Sequence, residues 1–132
     1  MTDIQTWVER YRQAWETADP SAAADLFRDD ATYRSNIFED PHVGRAGIEA
    51  YWSQATVTQR DIEVRMGRPI VDGDRVSVEF WTTMESEGAD LTLPGCLLLT
   101  FDDEGKCRTL HEYYSFGEGR LDPPPEWGGH VA

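Results

Sequence analysis

Cysteine is scarce in this chain: Cys96 and Cys107 are the only two, and neither has a Cys-x-x-Cys spacing or a histidine partner nearby. A disulfide framework and a zinc site are therefore both excluded as organising features. Long apolar runs are missing too, since none approaches the roughly 18 residues a membrane-spanning helix needs. The opening Met1-Thr2-Asp3-Ile4 has no basic stretch leading into an apolar one, so no secretory leader is expected there and the expected location is cytoplasmic. Positive charge is in short supply, with 12 Lys and Arg against 25 Asp and Glu, a net charge of −13 and a pI near 4.4. That field repels a phosphate backbone or an anionic bilayer, so neither nucleic acid nor membrane is an expected partner. There is no phosphate-binding glycine loop, no nucleophile elbow and no metal-spaced set of His, Cys and Asp. No cofactor, nucleotide or metal is expected.

What the chain does have is enough apolar material for one core. It has 132 residues, 39% of them hydrophobic, with 5 Trp, 5 Tyr and 5 Phe. Residues 3 to about 18 carry Ile4, Trp7, Val8, Tyr11, Ala14, Trp15 and Ala18 at three- and four-residue steps, the pattern of an amphipathic helix. Asp19-Pro20 supplies an N-cap and a first-turn proline for a short second helix running through Ala22, Ala23, Leu26 and Phe27. Ala31 to Ser35 reads as a strand, Asn36 to Gly44 as loop, and 45–55 as a third helix with Ile48, Tyr51, Trp52 and Ala55 on one face. From Asp61 the period becomes two, which predicts strands at 62–66, 76–84, 96–101 and 107–116. Helices first and strands afterwards predict an α+β domain, with helices packed on one face of a curved antiparallel sheet that surrounds a pocket. The domain is expected over residues 1–116, followed by a Gly/Pro-rich tail, 117–132, that Trp127 can pin down.

Several segments in fixed order carry a resemblance. Tyr11 to Trp15 precede an Asp-containing break, and Leu26-Phe27-Arg28-Asp29-Asp30-Ala31-Thr32-Tyr33 follow. Next come Gly44-Arg45-Ala46-Gly47-Ile48-Glu49-Ala50-Tyr51-Trp52, then Phe101-Asp102-Asp103-Glu104-Gly105 and Glu112-Tyr113-Tyr114. Together these resemble the nuclear transport factor 2-like, or SnoaL-like, superfamily over nearly the whole chain. The resemblance implies a cone-shaped α+β fold around a pocket, often paired back to back as a dimer. Within that superfamily, ketosteroid isomerase would place its oxyanion-hole tyrosine on Tyr11, its carboxylate base on Ser35 and its second, protonated acid on Leu97. Its two relay tyrosines would fall on Phe27 and Trp52. Serine is not a base of usable pKa, so steroid isomerisation by that route is not expected.

Chemistry must then come from other groups. If Phe101 and Lys106 close a four-residue hairpin loop, Leu99 faces Arg108, Leu97 faces Leu110 and Gly95 faces Glu112. Leu97, Leu99, Leu110, Glu112, Tyr114 and Phe116 then share one face, which the isomerase resemblance turns inward. Glu112 on an apolar concave wall is a candidate general acid or base, with its pKa raised by desolvation. The bland alternative is that it pairs with Arg108 or Arg34, or reaches water at the mouth. Tyr11 is the candidate hydrogen-bond donor to an oxygen that gains charge. Trp15, Tyr33, Ser35, His42, Trp52, Leu97, Leu110 and Tyr114 are candidate ligand contacts, although Trp15 and Trp52 also read as ordinary core.

His111 falls by parity on the convex face with Cys96, Leu98, Thr100, Cys107, Thr109 and Tyr113, a surface apolar enough to predict a homodimer. His130 lies in the tail and is uninformative. Two functional readings follow. One is a cofactor-free acid–base enzyme (isomerase, dehydratase, cyclase or epoxide hydrolase type) acting on a small apolar or aromatic molecule. The other is a non-catalytic binding or dimerisation module.

Overall fold

The computed structural model describes residues 3–129, so His130 lies outside the described residues. Helix α1 spans Ile4–Glu16 and buries Trp7, Val8, Tyr11, Ala14 and Trp15, the stripe expected from the apolar spacing. Asp3 caps it, and a left-handed Ala18 (φ 48°) ends the turn that leads to the next helix. Helix α2, Pro20–Ala24, is held by the Asp19 side chain, which accepts from the Ala22 amide at 3.1 Å. It is shorter than predicted, because Phe27 already belongs to strand β1, Phe27–Arg34. The loop that follows contains a two-residue strand β2, His42–Val43, before helix α3, Gly44–Thr56.

The remaining strands are β3 Gln59–Met66, β4 Ile70–Asp72, β5 Arg75–Ser86, β6 Ala89–Phe101, β7 Cys107–Tyr114 and β8 Gly117–Glu118. Their order in the sheet is β2-β1-β7-β6-β5-β3, with β4 on β5 and β8 on β6. The sheet is mixed rather than wholly antiparallel, because β1 runs parallel to β7 at Thr32↔Thr109, Tyr33↔Leu110 and Arg34↔His111. Three helices lie over one face and close a core that includes Trp7, Tyr11, Phe27, Ile48, Phe80, Leu97, Leu99 and Leu110.

Strand β6 starts seven residues earlier than the sequence suggested, because Pro94 and Gly95 hide the pattern. The Pro94 carbonyl accepts from the Ser115 amide, so its nitrogen faces the same side, where β7 has ended and no ladder donor is needed. Gly95 leaves space that a side chain would fill: a Cβ there would lie 2.3 Å from the Phe80 ring and 2.5 Å from the Tyr113 carbonyl.

The hairpin register differs from the prediction by two residues. Phe101 pairs with Cys107 and Thr100 with Thr109, so the loop has five residues and a bulge falls at Arg108. Asp102 shapes that loop, its carboxylate accepting from the Glu104 and Lys106 amides at 2.9 and 2.8 Å. A two-residue shift preserves parity from Thr109 onward, so Glu112 stays on the inner face. It now faces Leu97 rather than Gly95, which pairs with Tyr114. The bulge also turns Cys107 into the core, where it is fully buried, and so removes it from the predicted convex set.

The tail is tied down on the convex face. Trp81 donates its indole N–H to the Leu121 carbonyl at 2.8 Å, and Trp127 packs edge-on against Trp81 at 6.0 Å under the Arg65 guanidinium. Residues 120–129 thus run along the outer side of β5, on the opposite face from Glu112.

Candidate active site

A small cavity of about 40 Å³ opens among Tyr11 and Trp15 of α1, Tyr33 of β1, Tyr51, Trp52, Ala55 and Thr56 of α3, Gln59 of β3 and Glu112 of β7. By volume it holds about three water-sized groups. The helical residues reach it because Tyr11 and Trp15 stand one turn apart on α1, as do Trp52 and Thr56 on α3. Leu97 and Leu110, each fully buried, floor the wall from which Glu112 projects.

Glu112 keeps some exposure, yet its carboxyl is crowded enough that desolvation raises its pKa to about 7; a hydrogen bond from Tyr33 partly opposes the rise. That bond runs from the Tyr33 hydroxyl to Glu112 Oε1 over 3.2 Å. No arginine neutralises the carboxyl among the described residues. Arg108 is engaged with Asp74, and Arg34 donates to the Glu39 carbonyl at 2.6 Å. The cavity lining contains no basic side chain.

The tyrosines surround this acid as neutral hydroxyls. Burial raises the pKa of Tyr11, of Tyr33 and of Tyr51, and the nearby Glu112 charge pushes each the same way. Tyr11 and Tyr33 both line the space beside Glu112. Trp15 is committed, its indole N–H donating to Gln59 Oε1 at 2.9 Å. The Trp52 indole N–H is buried without a partner among the described residues.

Of the ligand contacts named from sequence, Trp15, Tyr33 and Trp52 line the cavity with Tyr11 and Glu112, whereas Leu97 and Leu110 lie behind it as core. Ser35 lies beside Tyr51 rather than lining the space. His42 stacks on Tyr51 with ring centroids 4.3 Å apart, which puts it outside the cavity as a buttress. Tyr114 is about half exposed (53%) beyond the lining, where the strand leaves the helices behind. Sequence reasoning missed Tyr51, Ala55, Thr56 and Gln59 as lining residues. Tyr51 was visible as part of the α3 apolar face beside Trp52, whereas nothing in the sequence marked Gln59.

The SnoaL-like domain model matches residues 8–109. A steroid Δ-isomerase from Nocardioides simplex is 22% identical over 121 residues, covering 92% of this chain and 97% of that one. Among solved structures, a protein of ketosteroid isomerase-like fold from Catenulispora acidiphila, in complex with trimethylamine, superposes with a TM-score of 0.75 at 24% identity, covering 83% of this chain and 85% of that one. SalBIII, an epoxide hydrolase/cyclase-like enzyme with a role in pyran ring formation in the polyether salinomycin, superposes with a TM-score of 0.75 at 19% identity, covering 86% and 94%. The family model spans most of the chain, and three helices on a large curved sheet are the architecture of these neighbours: the protein belongs to the SnoaL-like domain family.

Proposed function

We propose that the protein is a cofactor-free acid–base enzyme acting on a small apolar or aromatic molecule, with Glu112 as the proton-moving group and Tyr11 as donor to a substrate oxygen that gains charge. One observation carries the reading: Glu112 is a carboxyl on an apolar wall, with no cation beside it and a pKa near 7. A group so poised is part protonated and part ionised at neutral pH, as a general acid or base needs to be. Reactions of this kind include isomerisation, dehydration, aldol-type cyclisation and epoxide opening, and the isomerase and epoxide hydrolase/cyclase-like relatives fall within that range. Steroid isomerisation is the least favoured member, since Ser35 and Leu97 stand where that enzyme's carboxyl groups are expected. With room for about three heavy atoms, the 40 Å³ cavity takes only the reacting end of a larger molecule.

The test is a panel of small enones, β-hydroxy ketones and epoxy alcohols assayed with the wild type, Glu112→Gln and Tyr11→Phe. Turnover of a panel member should fall by about 10²–10⁴-fold in Glu112→Gln and by less in Tyr11→Phe. Full activity in Glu112→Gln would overturn the assignment.

A second reading is a binding module for a small organic cation. It is favoured by the same uncompensated carboxyl, by the tyrosine and tryptophan rings around it, and by the trimethylamine held by the neighbour from Catenulispora acidiphila. A trimethylammonium titration that lowers the Glu112 midpoint, with no turnover across the panel, would select it.

We further propose that the ligand-binding domain is residues 1–116, that two copies pair through the convex face, and that the protein works in the cytoplasm. Pairing is supported by an outer groove of about 260 Å³ that sets Ile70 and Leu98 among Asp72, Arg75, Ser77, Thr100, Thr109 and His111, next to an exposed Tyr113. Two free thiols, Cys96 and Cys107, suit a reducing compartment. Light scattering at high micromolar concentration should give a dimer; a monomer would rule the pairing out.

A further inference from the structure

We propose that Tyr33 is the positioning residue of this site, its hydroxyl holding the Glu112 carboxyl toward the same small cavity that the Tyr11 side chain lines. The proposal rests on the reading of Glu112 as the working acid. It assigns to Tyr33 a role distinct from the ligand contact expected of it from sequence.

The geometry is specific. Tyr33 is 2% exposed, and its ring is fixed by Phe27 at 5.8 Å and Tyr51 at 5.3 Å. It lies on β1, the strand paired in parallel with β7, and is level with Leu110 one turn of the pleat before Glu112. From there its hydroxyl donates to Glu112 Oε1, the one hydrogen bond that carboxyl receives among the described residues. A phenol has a single proton, and Tyr33 commits its own to Glu112.

The groups facing Glu112 from each packed element are Tyr11 on α1, Tyr33 on β1, Tyr51 on α3 and the uncharged Leu97 on β6. Its strand neighbour on the same face is Tyr114. None is a cation, so the Tyr33 hydroxyl is the only direct stabiliser of the ionised form in this set. Losing a charge-assisted hydrogen bond should then leave the proton held more tightly.

The experiment follows the Glu112 carboxyl by carbon-13 NMR across pH, with the resonance assigned by its loss in Glu112→Gln. Tyr33→Phe, which keeps the ring and its packing, should move the midpoint upward by roughly one pH unit. Tyr51→Phe, at a ring that lines the cavity without bonding Glu112, should leave it in place. Site-specific 3-fluorotyrosine at position 33, a stronger donor in the same shape, should move the midpoint downward and covers the case in which Tyr33→Phe folds poorly. An unchanged midpoint in Tyr33→Phe, or in the fluorotyrosine protein if the first does not fold, would overturn the proposal. So would an equal rise in Tyr51→Phe. A wild-type midpoint near the ordinary glutamate value would instead overturn the acid–base reading, and the displacement by Tyr33→Phe would still report on the Tyr33–Glu112 bond.

Discussion

Glu16 and Glu112 are both glutamates that meet the folded interior, one where α1 reaches the edge strand β3 and the other on the cavity wall. At the edge, Glu16 accepts from the Val64 amide at 2.8 Å and from the Arg12 guanidinium at 2.7 Å. Beside it the β3 backbone is irregular, with a register shift between Arg60 and Glu63 and a left-handed Asp61 at φ 50°. The carboxylate there satisfies a backbone donor next to a break in the ladder, and a cation balances its charge. On the wall, Glu112 has one neutral phenol and no cation. A carboxylate that is fully partnered stabilises the fold, whereas one left without a counter-charge costs stability when ionised and is available for chemistry.

The comparison breaks most sharply in turnover. Glu112→Gln should lose about 10²–10⁴ in rate on any substrate the wild type converts, while Glu16→Gln, which does not line the cavity, should keep its rate. Equal losses in the two variants would mean that Glu112 is no more than another structural carboxylate. Next in size is stability at the edge. Glu16→Ala leaves the Val64 amide without its acceptor, while Arg12 keeps Glu9, and should cost about 1–3 kcal/mol in urea unfolding. Glu16→Gln keeps an acceptor oxygen and should cost less. If the alanine variant loses nothing, the edge contact is ornamental and the contrast collapses. Smallest is the tail: Trp127→Ala removes the ring packed on Trp81 and beneath Arg65 and should cost about 1 kcal/mol. Because the tail lies across the sheet from the cavity, that variant should leave the Glu112 titration where it was.

The contrast was half legible in the sequence. The apolar stripes of α1 and α3 gave both helices, since a 3.6-residue period leaves no other arrangement that buries Trp7, Tyr11, Trp15 and Trp52 together. Alternation along β7 placed Glu112 inward, and this survived a wrong hairpin register because the error was an even number of residues. The partner across the ladder did not survive, since a bulge at Arg108 carries no composition signal. Cys107, on the near side of that bulge, was misplaced for the same reason. The parallel β1–β7 pairing was also hidden: local pattern gives a strand's faces but not the direction of its neighbour. Whether Glu112 had an arginine was undecidable from sequence, because Arg108 shares its strand and Arg34 is brought beside β7 only by the fold, which alone shows their commitments to Asp74 and to the Glu39 carbonyl.

The most direct test of the uncompensated acid is unfolding free energy at pH 5 and pH 8 for the wild type and Glu112→Gln. A folded pKa of about 7 against an ordinary value of 4.5 means that the unfolded chain gives up the proton first as pH rises. The contribution of Glu112 to stability is therefore full below the unfolded pKa and is lost progressively until pH passes the folded pKa. Glutamine has no proton to lose, so between pH 5 and pH 8 the variant should gain about 2 kcal/mol relative to wild type. It should be at least as stable as wild type at pH 8. A clear loss of stability at pH 8 on Glu112→Gln would mean that the ionised carboxylate is held by a favourable partner, and would contradict the account.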